Sequence, residues 1–249
     1  MTSFEETCTI TFSECVENHA GMQQIGQVAT GFTYEEVRDL AEKYKGEFID
    51  LSVDECKEQA AIVVFRNGLQ SIFDISHKDM YEEQRALLHV RDKHAFMFGR
   101  VVQKHARHNL CFADFDQEAD YENKKGTIVD FRRLDLLSKC RDGLAKFGKS
   151  FEGLYAEGNY YFDVNKTYIG FHGDGERRKV VGVRLGLPFQ LHYRWYHDGK
   201  GQDIQTIDLD GGDIYIMSDK ATGNDWKRYM RKGSHLRHAA GLIKNIKYD

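Results

Sequence analysis

Proline is nearly missing from the chain: 249 residues carry one, Pro188. That scarcity argues against Pro-rich linkers. Cysteine is sparse, and its five positions (Cys8, Cys15, Cys56, Cys111, Cys140) are odd in number, widely spread and without a C-x-x-C pair. A disulfide framework and a structural zinc site are thereby disfavoured, and reduced thiols in a cytoplasmic or nuclear compartment are expected. No apolar run approaches membrane-spanning length. The opening MTSFEETCTITF has neither a basic n-region nor an apolar h-region, so no secretory leader and no membrane partner are expected. Excess positive charge is also lacking, since 35 Lys and Arg face 39 Asp and Glu for a net charge of −4. Any nucleic-acid contact must therefore come from a local basic patch.

What is abundant is glycine, 23 residues, within a composition of 41% hydrophobic, 30% charged and 12% aromatic residues. This is ordinary globular composition with many turns. The length suits one large domain or two small ones. No linker composition marks a boundary near Ser150, so residues 1–249 read as one domain, with 1–150 as an N-terminal supporting region and 151–249 as its core. Cys8 to Phe12 alternate like a strand. Thr33 and Glu36 form a capping box before the apolar stripe Val37, Leu40, Ala41 and Tyr44, which ends at Gly46. Ala60 to Phe65, the Asn67-Gly68 pair and Leu69 to Ile75 read as a β-hairpin. Met80 to His94 reads as a polar helix, and Leu134 to Phe147 as an amphipathic one presenting Leu137, Cys140, Leu144 and Phe147. From Leu154 onward short strands recur (Val180–Leu185, Phe189–Tyr196, Ile204–Leu209, Asp213–Met217), the spacing of a sandwich or barrel.

Most histidines lack ligand spacing. His19, His77, His89 and His94 read as solvated or hydrogen-bonded, and His192 and His197 as structural or substrate-side. The run with His105, Arg107 and His108 reads either as a basic rim feeding a site or as a charged strand entry. The exception is NYYFDVNKTYIGFHGDGERR, Asn159 to Arg178, which reads as two short strands joined by a turn at Asp163 to Lys166. Residues two apart on a strand point to one side, so His172 and Asp174 project together. They supply two-thirds of a 2-His-1-carboxylate facial triad, the set that holds Fe(II) and leaves positions open.

Further motifs surround this pair. Asn159 and Tyr161 form N-x-Y; Ile169, Gly170, His172, Asp174 and Glu176 form I-G-x-H-x-D-x-E; Gly212 and Asp213 lead an alternating strand; and Arg231 and Arg237 stand six apart. With these, Asn159 to Gly241 resembles the core of the Fe(II)/2-oxoglutarate-dependent oxygenases, most closely the AlkB-like branch. The whole chain resembles uncharacterised 2-oxoglutarate oxygenases of large DNA viruses and algae. The resemblance implies an α+β fold: a double-stranded β-helix (jelly-roll, cupin-like) barrel with flanking helices and an N-terminal α/β extension. It implies Fe(II) on His172, Asp174 and a distal histidine, 2-oxoglutarate held by Asn159 and Tyr161 with an arginine on its far carboxylate, and O₂ as third reactant.

The sequence departs from that pattern at the distal histidine. Where the branch has a W-x-H-like context, this chain has Asp225-Trp226-Lys227-Arg228. His238 is the first candidate and His235 the alternative. Strand neighbours alternate faces, so with His238 as ligand the carboxylate anchor falls to Arg231 or Lys244. With Arg237 as anchor, the triad is incomplete. For substrate, Arg177, Arg178, Lys179, Lys220, Lys227, Arg228, Arg231 and Lys232 form a local basic rim. Tyr193, Trp195, Tyr196 and Trp226 offer stacking surfaces, and together they suggest a nucleic-acid base. A protein or small-molecule hydroxylase, or a cupin-like binding module without turnover, are the rival expectations.

Overall fold

A computed structural model of the chain describes residues 4–247. Met1 to Ser3, the start of the segment read above as lacking a leader, lie outside the described residues. In chain order the strands are β1 (Thr7–Ser13), β2 (Cys15–Glu17), β3 (Gln24–Gly26), β4 (Glu47–Asp50), β5 (Ala61–Phe65), β6 (His94–Met97), β7 (Arg100–Gln103) and β8 (His108–Ala113). They continue with β9 (Ile128–Asp130), β10 (Tyr155–Tyr161), β11 (Ile169–His172), β12 (Val180–Gly186), β13 (Phe189–His197), β14 (Lys200–Leu209), β15 (Ile214–Met217) and β16 (Ser234–Ala240). The helices are α1 (Tyr34–Tyr44), α2 (Gly68–Phe73), α3 (His77–Ala86), α4 (Asp135–Gly143) and α5 (Trp226–Tyr229).

The architecture is α+β and mostly sheet. An eight-stranded sheet runs β4-β5-β15-β12-β1-β10-β8-β9, and a four-stranded sheet runs β11-β16-β13-β14. The first strand explains the layering. TCTITFS alternates apolar and polar residues, and every position is buried. Cys8, Ile10 and Phe12 enter a core with Val37 and Leu40 of α1, Phe73 of α2, Met80 of α3 and Leu137 and Cys140 of α4. Thr9 and Thr11 point the other way, into a cavity facing the small sheet. Helices thus cover one face of the large sheet, and the small sheet covers the other. A second core between the sheets, with Ile62, Val64, Leu191, Tyr193, Trp195, Met217 and Leu236, closes the sandwich beside that cavity.

Strand β1 lies between β12 and β10. The region before residue 150 therefore supplies a central strand, and the division into a supporting part and a 151–249 core does not follow the sheet. The capping box forms as expected: the Thr33 amide donates to Glu36 Oε2 at 2.7 Å and the Glu36 amide to Thr33 Oγ1 at 3.0 Å. The hairpin expected over Ala60 to Ile75 is absent. A type I′ turn needs both central residues left-handed, but only Asn67 is (φ 48°). Its amide donates to Asp213 Oδ1 at 2.9 Å, and the chain turns into α2, so β5 pairs instead with β4 and β15. The helix expected over Met80 to His94 runs His77–Ala86, and His94 opens β6. The Asp163–Lys166 turn forms, with the Lys166 amide donating to the Asp163 carbonyl. It joins strands of different sheets, so β10 and β11 carry the chain across the cavity rather than pairing with each other.

Candidate metal centre

The site is built where β11 meets β16. These strands pair antiparallel with His172 opposite His238 and an irregularity between Ile169 and His172. Cross-strand neighbours on one face lie close enough to share a ligand, and the two imidazole centroids stand 4.4 Å apart. Asp174 follows one glycine later. Gly173 has no room for a side chain: an added Cβ would sit 2.0 Å from the Gly223 carbonyl oxygen and 2.5 Å from Trp226 Cδ1. The Asp174 amide donates to the Thr222 carbonyl at 2.9 Å, and Asn224 Nδ2 donates to the carbonyls of Asp174 and Arg177. The Thr222–Asn224 segment therefore sets the direction of the carboxylate.

One ligand-type atom from each of His172, Asp174 and His238 lies within 4.8 Å of the others. Asp174 Oδ1 is 3.5 Å from His172 Nε2 and 3.6 Å from His238 Nε2. Ligands about 2.1 Å from an ion, at right angles, stand roughly 3 Å apart, so the group needs only small side-chain adjustment to enclose one. The nitrogen chemistry agrees. His172 Nδ1 lies 2.8 Å from the Gly170 carbonyl, an acceptor that fixes the tautomer leaving Nε2 with a free lone pair. His238 Nδ1 is buried without a hydrogen-bond partner. A buried imidazole with so little protein hydrogen bonding calls for another partner. Burial, with His172 beside it, lowers the His238 pKa to about 4, which keeps it a neutral donor. Burial opposes ionisation of Asp174, but His238, His172 and Arg177 together hold its carboxyl below the usual range.

Arg177 is itself buried, donating to Glu157 Oε2 at 2.5 Å and Glu176 Oε1 at 2.7 Å, with Nε 3.9 Å from Asp174 Oδ2. It links the triad to a polar wall on β10. There Asn159 Oδ1 accepts from Arg107 Nε and from Asn109 Nδ2, while Asn159 Nδ2 donates to Glu157 Oε1 at 3.1 Å. Tyr161 lies in the same wall, packed on Phe189. Both residues of the N-x-Y pair line the cavity, which encloses about 710 Å³. Arg107 lines it too, whereas His105 and His108 do not and His108 opens β8, so the run is a strand entry that places one arginine on the cavity wall. His19 also stands on the rim, half-buried rather than simply solvated.

The arginines expected near the co-substrate are elsewhere. Arg231 is exposed and lines no part of the cavity. Arg237 points to the opposite face of β16 from His238, as strand alternation requires, and is sandwiched between the rings of Tyr196 and Trp226 at 4.5 Å from each. Its Nε donates to His235 Nε2 at 3.1 Å, so His235 is likewise turned away from the triad. Lys244, in a 3₁₀ turn, is exposed and also outside the cavity.

The cation inside the cavity is one the sequence reading passed over. Arg184 lies on β12, where Val181, Val183 and Leu185 face the helical core and Val180 and Arg184 face the cavity. It is 1% exposed. It donates to Thr9 Oγ1 at 2.5 Å, lies 5.1 Å from the Phe189 ring centroid, and its Nε has no partner. Among the described residues no carboxylate lies within ion-pair distance of it, and burial pulls its pKa down. A buried guanidinium without a counter-ion, lining a cavity, has the chemistry to receive a carboxylate. The available signal was a single charge inside VVGVRLG.

Much of the expected basic rim is neutralised internally. Arg178 pairs with Asp219, Lys220 with Glu58 and Asp225, and Lys179 Nζ donates to the Ser150 carbonyl. Tyr193 and Trp195 fill the inter-sheet core. His192 bridges Thr206 Oγ1 and the Gly241 carbonyl, a structural role. Of the expected rim and stacking residues, Lys227 and Trp226 line the cavity together with Arg177.

An α+β protein whose two main sheets hold a His-Asp-His group and a buried arginine on one cavity is the class that fold and site define. No protein-family model matches the chain. It is 41% identical, over 261 aligned residues, to the uncharacterized protein R156 of Acanthamoeba polyphaga mimivirus, an alignment covering 99% of this chain and 100% of that one. The chain belongs to the family of that viral protein. Among the described residues no helix is long and apolar enough to cross a membrane.

Proposed function

We propose that the protein is an Fe(II)- and 2-oxoglutarate-dependent dioxygenase that oxidises a C–H bond of a nucleic-acid base, its two sheets forming a double-stranded β-helix of the jelly-roll type. The observation that carries this reading is the placement of His172, Asp174 and His238 in the same cavity as Arg184, a buried cation with no protein carboxylate. His172 and His238 supply neutral nitrogens and Asp174 one negative charge, which leaves open positions on a divalent ion. Arg184 and Thr9 receive the far carboxylate of 2-oxoglutarate, with the guanidinium fork giving direction as well as charge. Asn159 and Tyr161 stand on the wall between, where Asn159 holds Arg107 at the mouth of the cavity. Fe(II) bound with 2-oxoglutarate and O₂ supplies the oxidising power, with succinate and CO₂ released as the substrate C–H is oxidised. The protein's part is to hold the ligands, orient the co-substrate and keep water from the reacting centre.

Succinate release by the pure protein with Fe(II), ascorbate and oligonucleotides tests this reading, together with melting temperature under anaerobic Fe(II). At a hundredfold excess over Kd, Fe(II) stabilises by about 2.7 kcal/mol, roughly 5–11 °C for a chain of this size. His172→Ala and His238→Ala are expected to lose that shift and at least about 100-fold in succinate release. A wild-type protein with neither turnover nor an Fe(II)-dependent shift contradicts the proposal.

A further inference from the structure

The β6–β7 hairpin ends four residues before Arg107, a residue of the cavity wall, and carries an unusual tip. Its pairing closes at Met97 opposite Arg100, so Phe98 and Gly99 form a two-residue turn with φ of 53° and 77°. Asparagine, aspartate or glycine ordinarily occupies the first left-handed position, and a bulky side chain there is a conformational outlier. Phe98 is moreover 89% exposed, against 50% for Leu88, the next most exposed large apolar residue among those described. A strained, fully presented aromatic ring gains nothing from folding, which points to a role in contact with something else.

The surroundings state the charge of that partner. From Lys93 to His108 the chain carries Lys93, Arg100, Lys104 and Arg107 with His94, His105 and His108, and no Asp or Glu, in a protein of net charge −4. Lys124 adds its ammonium over the Phe96 ring at 5.4 Å, although Glu122 lies in the 3₁₀ turn packed on the hairpin. The base of the hairpin is fixed. The Lys104 amide donates to the Lys93 carbonyl at 2.8 Å, and Lys104 Nζ donates to Asn109 Oδ1 at 2.8 Å and the Asn18 carbonyl at 3.0 Å. Three residues later Arg107 reaches the cavity wall. Four-residue strands rising about 3.3 Å per residue hold the tip roughly 13 Å beyond that base.

We infer that this hairpin is a wedge for nucleic acid: Phe98 inserts between stacked bases while Arg100, Lys93 and their neighbours meet the flanking phosphates. Phenylalanine inserted at a base step unstacks it, and unstacking lowers the energy needed to swing the neighbouring nucleotide out of the helix. The cavity entered beside Arg107 is then the receiving pocket. This inference rests on the reading that the metal centre acts on a nucleobase.

The test uses the full chain without metal, with duplex and stem-loop oligonucleotides carrying 2-aminopurine, whose emission rises on unstacking. Wild-type protein is expected to bind and raise the emission. Phe98→Ala is expected to weaken binding by about 10- to 100-fold and abolish the rise, while leaving the salt dependence of binding unchanged because no phosphate contact is lost. Phe98→Trp should restore both, and Arg100→Ala should instead flatten the salt dependence. Equal affinity and emission for Phe98→Ala and wild type would overturn the wedge. So would binding to phosphatidylserine vesicles that requires Phe98, in a protein that binds no oligonucleotide. Succinate release without any Phe98-dependent unstacking leaves the dioxygenase and removes the wedge. Unstacking without succinate release keeps the wedge and removes the dioxygenase.

Discussion

Replacing Arg184 by methionine should move stability and co-substrate affinity in opposite directions. Arg184 is fully buried, holds only the Thr9 hydroxyl and the face of Phe189, and leaves its Nε unpartnered. Replacing buried ionic groups by apolar side chains of similar volume stabilises by about 1–4 kcal/mol, and methionine fills most of the vacated volume. The orphaned Thr9 hydroxyl returns about 1 kcal/mol of that. The balance is a net gain of about 0–3 kcal/mol, up to roughly 12 °C in Tm without ligands. For 2-oxoglutarate the sign reverses, because losing the partner of a buried, hydrogen-bonded carboxylate costs about 2–5 kcal/mol, a rise in Kd of at least 30-fold. Thermal melts and calorimetric titration with 2-oxoglutarate under anaerobic Fe(II) measure the two quantities. Arg184→Lys keeps the charge but not the fork and should fall between. Arg237→Ala, on the outer face of β16, should leave the Kd within about twofold. A destabilised Arg184→Met that binds 2-oxoglutarate normally would refute the reasoning, and a large loss in Arg237→Ala would return the anchor to the six-residue pair.

Gly173→Ala places a Cβ 2.0 Å from the Gly223 carbonyl oxygen, and overpacking of this kind costs about 1–3 kcal/mol. Its Fe(II)-dependent melting shift should vanish, whereas an intact shift would show that the Thr222–Asn224 clamp does not aim Asp174. Glu17, on the cavity rim, is raised to about 7 by burial and by Glu176, with Glu157 adding to the shift and the Gln24 hydrogen bond opposing it. A carboxyl raised in the folded state favours folding less once pH exceeds its unfolded value near 4.5. The loss grows through pH 7 and is then constant. Glu17→Gln should therefore melt above wild type at pH 8 and level with it at pH 4, and the reverse order at pH 8 would contradict the burial argument.

The parts of this fold that were legible in the sequence are those set by neighbours along the chain. The Thr33–Glu36 box and the apolar stripe of α1 each depend on a few consecutive residues, and each is present. His172 and Asp174 do meet, but β11 ends at His172 and the Thr222–Asn224 segment aims the carboxylate, so strand alternation is not what places it. Alternation does separate His238 from Arg237 and His235, and the structure turns them to opposite faces. The hairpin at Asn67-Gly68 failed for a nonlocal reason. Asp213, more than a hundred residues away, captures the Asn67 amide and pairs with Arg66, and this contact fixes a turn that local preference would close differently.

The misplaced anchor follows the same rule with larger consequences. Six-residue spacing assigns Arg231 and Arg237 by their order in the sequence, yet what a cation does in a sandwich depends on which face of which strand carries it. Arg184 reaches the cavity only because β12 pairs with β1, 175 positions earlier, which sets Thr9 opposite it. A reading confined to windows sees one charge in an apolar strand and has no partner to weigh it against. Once the sheet order is known, the same residue is a buried charge without a counter-ion. Desolvation makes that arrangement costly, and a carboxylate ligand would remove the cost. The position of the charge is therefore what the proposed co-substrate site rests on.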